Sequence, residues 1–96
     1  MPKSKYHLSH QALDDLKRIY SYGKNKFGEL QAEKYVSNLF LCFDRIRISP
    51  FSFESVDHIF PGYRRCVCGV DSIYFRIDNN QIQITTIIGR QEIKSI

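Results

Sequence analysis

Three consecutive segments decide the fold of this 96-residue chain: Gly62-Tyr63-Arg64-Arg65-Cys66-Val67-Cys68, then Ser72-Ile73-Tyr74-Phe75-Arg76-Ile77, then Gln81-Ile82-Gln83-Ile84-Thr85-Thr86-Ile87-Ile88-Gly89-Arg90-Gln91. Side chains of a strand point alternately to its two faces, so the isoleucines and Phe75 of the second segment form one apolar face. Tyr74 and Arg76 then lie on the opposite face. In the third segment, strict alternation places Ile82, Ile84, Thr86 and Ile88 together and Ile87 on the outer face.

The turn between the second and third segments is Asp78-Asn79-Asn80. Asp and Asn tolerate left-handed backbone conformations, so this tripeptide predicts a tight hairpin. The C-terminal third of the chain is therefore expected to form an antiparallel sheet.

The N-terminal half has helical periodicity. A short strand is expected at residues 5–8, and Ser9 is a suitable N-cap for a helix over residues 10–25. A second helix is expected over residues 29–46, because its apolar positions recur at helical spacing. Residues 47–61 are rich in turn formers and predict a loop. We therefore expect one α+β domain spanning residues 1–96, in which an N-terminal strand and a two-helix hairpin pack on a mainly antiparallel C-terminal sheet.

Composition narrows the class of protein. The hydrophobic fraction of 43% argues against disorder, and the formal net charge of +4 suits a nucleic acid or an acidic protein as partner. No apolar run approaches the roughly 18 residues that cross a bilayer. The N-terminal lysines are not followed by an apolar segment, so no secretory signal and a cytoplasmic location are expected.

The three cysteines, Cys42, Cys66 and Cys68, are expected to be free thiols of a reducing compartment, since they do not suggest a disulfide framework. Cys42 falls on the apolar stripe of the second helix, and the other two share one face of a strand. The histidines show no zinc-type spacing to that pair. All three cysteines are therefore predicted to be core residues, and no metal or other cofactor is expected.

Several short motifs, taken in order, resemble one family. They are Tyr6-His7-Leu8-Ser9 with Ala12, Asp15-Leu16, Ile19 and Tyr22; Phe27-Gly28 with Gln31-Ala32, Tyr35 and Leu39; and Pro61-Gly62-Tyr63-Arg64-Arg65, Ile73-Tyr74-Phe75-Arg76, Ile82 to Ile88 and Gly89-Arg90-Gln91. The chain is similar along nearly its whole length to ParE toxins, of the RelE/ParE superfamily of type II toxin–antitoxin systems.

The resemblance implies a function. ParE toxins are small cytoplasmic proteins that inhibit DNA gyrase and stall it on cleaved DNA, whereas their RelE relatives cut messenger RNA in the ribosomal A site. In both branches a cognate antitoxin wraps the toxin, and the antitoxin makes the DNA contacts when the hetero-oligomeric complex represses its operon.

The residues distinguish the two branches. A metal-free ribonuclease needs a base, an acid and cations that converge on one phosphate. Ser72 stands about where the nuclease branch has an arginine, Gln91 stands near another, and no tyrosine or histidine follows Arg90. We therefore predict a gyrase inhibitor with no catalytic residues rather than an enzyme. The alternatives are a RelE-like ribonuclease using Arg64, Arg65, Arg76 and His58, or an inactive antitoxin-binding module.

The residues expected to contact gyrase or the antitoxin are Arg64, Arg65, Tyr74, Arg76, Ile87 and Arg90. Guanidinium groups bind carboxylates and phosphates in a bidentate manner, and arginine and tyrosine are enriched in binding hot spots. Alternation predicts that Arg64 and Arg65 point to opposite faces. A purely structural interpretation is also open, in which one of the two is solvated and the other caps a loop carbonyl.

Five residues are expected to be exposed to solvent in the free chain. Ile87, Ile93 and Ile96 are expected on the surface, where antitoxin would cover them. Asp14 and Asp15 are interpreted as solvated charges near a helix N-terminus.

Overall fold

The computed structural model describes residues 5–89. The elements along the chain are β1 (Tyr6–Leu8), α1 (His10–Phe27), α2 (Glu29–Ile48), a 3₁₀ turn (Pro50–Ser52), β2 (Glu54–Ser55), β3 (Tyr63–Cys68), β4 (Asp71–Asp78) and β5 (Gln81–Gly89). The predicted order of elements is confirmed, with the 3₁₀ turn and β2 added inside the expected loop. Each helix extends two residues further than expected.

The five strands form one sheet in the order β1-β5-β4-β3-β2. β1 runs parallel to β5, and the other neighbouring pairs are antiparallel. Asn79 and Asn80 both have positive φ, at 53° and 62°, so the expected hairpin turn joins β4 to β5. The α+β architecture is thus confirmed. None of the helices in the described part of the chain is long and apolar enough to cross a membrane.

The helical hairpin begins at a side-chain cap. Ser9 Oγ accepts a hydrogen bond from the backbone N–H of Ala12 at 3.0 Å, which satisfies one of the unpaired donors of the first turn. Gly28, with φ of 96°, separates the two helices, and its N–H donates to Lys24 O. The two helices therefore lie antiparallel, and both cover the same face of the sheet.

The core lies between the helices and this face of the sheet. Its fully buried side chains come from all the main elements; the largest include Leu39, Phe43, Ile46, Ile73, Phe75, Ile82, Ile84 and Ile87. The alternation expected for β4 is confirmed, since Ile73 and Phe75 belong to this core and Ile77 packs against it.

A β-bulge overturns the alternation expected for β5. Tyr74 pairs with Thr86 but Phe75 pairs with Ile84, so Thr85 is an extra residue on β5. An extra residue reverses the facing of every residue that follows it in the strand. Ile87, expected on the outer face, is consequently only 1% exposed in the core, and Ile88 is the residue left half-buried.

The expectation that all three cysteines are free thiols is wrong for two of them. The structure joins Cys42 on α2 to Cys68 at the end of β3 in a disulfide, with a Cα–Cα distance of 6.6 Å. Both positions face the core, where a helix and a strand remote in sequence approach each other. Only Cys66, which is buried, is a free thiol.

Candidate partner-binding surfaces

The side of the sheet away from the helices, here called the open face, carries four polar or aromatic side chains of interest. Tyr63 and Arg65 on β3 lie opposite Arg76 and Tyr74 on β4, respectively. The structure thus brings three predicted site residues, Arg65, Tyr74 and Arg76, onto one surface, together with Tyr63.

Arg65 is held from two sides on the open face. Its Nη2 donates to the Glu54 carboxylate of β2 at 2.8 Å, and the Tyr74 hydroxyl lies beside it. Tyr74 first and Glu54 second raise the pKa of Arg65, so the guanidinium stays charged. Its side chain is 28% exposed, which leaves part of the guanidinium available to a partner.

Tyr74 does not have the exposed position that alternation suggested. It lies on the expected face, but it is only 5% exposed because Phe60 of the preceding loop covers it, with ring centroids 5.7 Å apart. Phe60 also packs against Tyr63 at 5.8 Å. Tyr74 therefore supports the open face from below rather than contributing contact area.

Arg76 and Arg64 lie in different environments. Arg76 is exposed and its Nη1 donates to Asp78 of the same strand at 3.2 Å. Arg64 points to the helix side, as alternation predicted, where its Nη1 donates to Phe53 O at 2.7 Å and its guanidinium lies 5.1 Å from the Phe51 ring centroid. Arg64 is thus separated from Arg65 and Arg76 by the thickness of the sheet.

Four other residues were named from the sequence. Arg90, Ile93 and Ile96 lie outside the described residues. His58 is an exposed loop residue that makes no hydrogen bond or ion pair within the described part of the chain.

A groove of about 590 Å³ lies between the helical hairpin, the start of β4 and the end of β5. Its walls carry exposed apolar side chains at the tip of the hairpin, Tyr22 and Phe27, and Val70 at the β3–β4 turn. The polar residues Arg18 and Asp71 also line it. None of these wall residues was named from the sequence as a candidate contact.

Tyr35 ties one wall of the groove together. Its hydroxyl donates to Asp71 Oδ2 at 2.5 Å, lies 3.2 Å from Cys68 O, and accepts the N–H of Val70 at 3.2 Å. Burial first, and then the neighbouring Asp71 carboxylate, raise the pKa of Tyr35. Tyr35 therefore stays protonated at neutral pH, and it joins α2 to the turn between β3 and β4 as a hydrogen-bond donor.

Asp15 is buried, so its interpretation as a solvated charge is wrong. It is 5% exposed, and its carboxylate accepts hydrogen bonds from Gln11, Arg18, the Thr86 hydroxyl and the Ile87 N–H. Burial by itself raises the pKa of Asp15, but these hydrogen bonds lower it overall. The signal was its spacing, because position 15 lies on the same helical stripe as Ala12, Leu16 and Ile19. Asp14 is exposed, as expected.

The described residues show what chemistry the open face offers. Arg65 and Arg76 supply positive charge, and the Tyr63 hydroxyl accepts from Thr85 Oγ1 at 3.3 Å. Such a surface can bind carboxylates or phosphates. Within residues 5–89, no three His, Cys, Asp or Glu side chains cluster in a way that could hold a metal ion.

The sequence of the chain matches a known family over most of its length. The family described as the ParE toxin of the type II toxin–antitoxin system parDE matches residues 6–94. Toxin ParE1 of Caulobacter vibrioides is 31% identical over 72 residues, which are 75% of each chain. Toxin ParE1 of Mycobacterium tuberculosis is 32% identical over 74 residues, 77% of this chain and 76% of that one.

Solved structures share the fold. The structure described as a chromosomal ParDE toxin–antitoxin system from P. aeruginosa superposes with a TM-score of 0.80 at 22% identity, covering 91% of this chain and 95% of that one. A conserved hypothetical protein from Helicobacter pylori superposes with a TM-score of 0.60 at 11% identity, covering 94% and 98%. Identities this low speak for the fold alone, whereas the family match and the curated relatives speak for descent. On that basis, the chain belongs to the ParE toxin family of type II toxin–antitoxin systems.

Proposed function

We propose that this protein inhibits DNA gyrase as a non-enzymatic toxin and that a cognate antitoxin neutralises it. The observation that carries the proposal is the family match over residues 6–94. The resemblance to ParE toxins implies the gyrase-directed branch of the superfamily. The toxin would work in the cytoplasm, where gyrase acts. It would contact DNA only through the antitoxin in the repressor complex.

The open face supports inhibition by binding rather than by catalysis. Arg65 is engaged by Glu54, Arg76 by Asp78, and Tyr74 is buried under Phe60. A ribonuclease would need an unengaged acid–base pair beside these cations. We infer that Arg65 and Arg76 instead meet acidic groups of the target protein, with Arg64 and Arg90 as further candidate contacts.

The groove is better suited than the open face to bind the antitoxin. An amphipathic segment can bury apolar side chains against Tyr22, Phe27 and Val70, in the helix-in-groove manner that peptide recognition commonly uses. The exposed apolar area at the tip of the hairpin would then be covered in the complex. Ile87 drops out of the proposed antitoxin contacts because it belongs to the core.

The test is a supercoiling assay with purified gyrase, relaxed plasmid and this protein, with and without the antitoxin. Loss of supercoiling with accumulation of linear plasmid, reversed by antitoxin, is the expected result. Arg76→Ala should weaken inhibition, whereas Arg47→Ala should not. Arg47 is a matched control. It pairs with Asp44 three residues away, as Arg76 pairs with Asp78 two residues away, but it lies on α2.

Ribonuclease activity is the second candidate, because Tyr63, Arg65 and Arg76 share one surface that could bind a phosphate. Unimpaired gyrase together with ribosome-dependent cleavage of messenger RNA would replace the gyrase proposal with this one. Unimpaired gyrase and intact RNA, with antitoxin still bound tightly, would identify an inactive binding module.

A further inference from the structure

The Cys42–Cys68 disulfide is placed where it can affect the groove. Cys68 ends β3, and the carbonyl oxygen of the same residue lies 3.2 Å from the Tyr35 hydroxyl. Cys68 Sγ also lies 3.6 Å from Asn38 O. Tyr35 and Asn38 both line the groove, together with Val70 of the adjoining turn. The bond therefore connects α2 to the strand end from which one wall of the groove is built.

The strand end that carries Cys68 is also the less protected part of the sheet. β2 pairs only with Arg64 and Arg65, so within residues 5–89 no strand lies on the outer side of the second half of β3. The two residues that follow, Gly69 and Val70, are exposed. Local opening of an edge strand and its turn requires much less free energy than global unfolding. Although Cys42 and Cys68 are only 6% and 7% exposed, such an opening would admit a thiol reagent to Cys68.

We propose that Cys42 and Cys68 form a reversible thiol–disulfide modification site. A dithiol reductant opens the disulfide, and this opening loosens the wall of the groove that Tyr35 and Val70 form. Disulfides in reducing compartments are usually transient and redox-sensing, which is the behaviour this site would have in the cytoplasm.

The exchange balances with the dithiol as the only co-reactant. One thiolate of the dithiol attacks Cys68 Sγ, the bond to Cys42 Sγ breaks, and Cys42 leaves as a thiolate that takes up a proton. The second thiol of the reagent then closes its own disulfide and releases Cys68 as a thiol. Two electrons pass from the dithiol to the protein, and the reagent ends as a cyclic disulfide.

Cys66 provides an internal control. It is 1% exposed, and burial raises the pKa of its thiol, which makes it a poor nucleophile. Its side chain is a core residue two positions from Cys68, outside the cross-link. Cys66→Ala removes a thiol of the same strand and face while leaving the pair intact.

The first measurement counts thiols in the full chain by alkylation with N-ethylmaleimide and mass spectrometry after unfolding. A sample treated with oxidised glutathione should show one reactive cysteine, and a sample reduced with dithiothreitol should show all three. Three reactive cysteines in the oxidised sample would overturn the proposal, since no reversible pair would exist.

The second measurement is amide hydrogen exchange by NMR on the oxidised and reduced chain. Val70 N–H donates to Tyr35, and Ile82 N–H donates to Lys5 O at the opposite end of the sheet. Reduction should speed exchange at Val70 by about tenfold or more and leave Ile82 within about twofold. Equal acceleration of both amides would show a global loss of stability and would refute the coupling to the groove wall.

Two variants distinguish the effect of opening the Cys42–Cys68 disulfide from other effects of the reductant. Cys66→Ala should respond to dithiothreitol as the unmodified chain does, whereas Cys42→Ala should exchange rapidly at Val70 with or without it. If Cys42→Ala does not fold, the comparison of the unmodified chain with Cys66→Ala still decides the matter.

One further arm rests on the proposed function. If the groove takes the antitoxin, reduction should weaken antitoxin binding by about fivefold or more, within the usual range of coupling between sites. Unchanged binding alongside the expected exchange rates would count against the groove as the antitoxin site and leave the modification site standing.

Discussion

Replacing Asp15 with asparagine removes one negative charge from the junction between α1 and β5. Oδ2 of the carboxylate accepts from Thr86 Oγ1 and Ile87 N, both at 2.9 Å, and Oδ1 accepts from Gln11 and Arg18. An asparagine oxygen can replace Oδ2 and keep the hydrogen bonds from Thr86 and Ile87. The asparagine NH₂ group then replaces Oδ1, and it cannot accept the hydrogen bonds that Gln11 and Arg18 donate. The side chain keeps its size and loses half of its hydrogen bonds.

The cost follows from the type of bond that is lost. Hydrogen bonds to a charged group contribute about 1.5–3 kcal/mol each, against about 0.5–1.5 kcal/mol for neutral pairs. The two retained bonds therefore weaken by about 1 kcal/mol each. Gln11 and Arg18 are exposed, and Arg18 also donates to Ile87 O, so the loss of their hydrogen bonds to Asp15 adds less. We expect Asp15→Asn to lower the free energy of unfolding by about 2–3 kcal/mol, out of about 5–15 kcal/mol for a domain.

Urea unfolding measures this difference directly. A slope of about 1 kcal/mol per molar converts it to a fall of roughly 2–3 M in the urea midpoint. Asp14→Asn is the matched control, since it makes the same change of charge at an exposed neighbouring position. Its midpoint should stay close to that of the unmodified chain, because exposed substitutions usually change stability by less than about 0.5 kcal/mol.

The effect should also depend on pH. Because the pKa of Asp15 is lower in the folded chain than its ordinary value of 3.8, its contribution is fully present above that value and is lost as pH falls through the folded pKa. The deficit of Asp15→Asn should thus be constant between pH 7 and 5 and shrink below 3.8. Equal midpoints for the two asparagine variants at pH 7, or a deficit that grows in acid, would refute the reasoning.

Four further substitutions test the turns and the groove wall by the same urea assay. Gly69→Ala should cost about 2–3 kcal/mol, because φ is +63° and the new Cβ would lie 2.7 Å from the Tyr35 hydroxyl. Gly62→Ala, at φ of +85° with nothing within 4 Å, should show only the backbone part of that cost. Tyr35→Phe should cost about 2 kcal/mol, since it deprives buried Asp71 of a donor. Asn80→Gly should instead stabilise the hairpin by about 0.5–1 kcal/mol, because glycine adopts positive φ without strain; a loss would contradict the turn geometry.

Local patterns predicted most of the fold. The alternation of Ile73 and Phe75, the Ser9 cap and the Asn79-Asn80 turn each depend on a few neighbouring residues, and the structure confirms all three. The candidate surfaces were only partly predictable. Alternation correctly placed Arg64 and Arg65 on opposite faces, but the shared face of Arg65 and Arg76 depends on the pairing of β3 with β4. The burial of Tyr74 depends on Phe60, fourteen residues earlier in the chain.

The sequence by itself therefore determined the two helices, the strands other than β2, their order and the family, because helix caps, turns and hydrophobic periodicity are set by residues close together in the chain. Only the tertiary structure decided that Thr85 forms a bulge and turns Ile87 inward, that Asp15 is buried against β5, and that Cys42 meets Cys68 across 26 positions. Each of these outcomes depends on which distant segments share the core, and this is a property of how the helices pack on the sheet rather than of any local pattern.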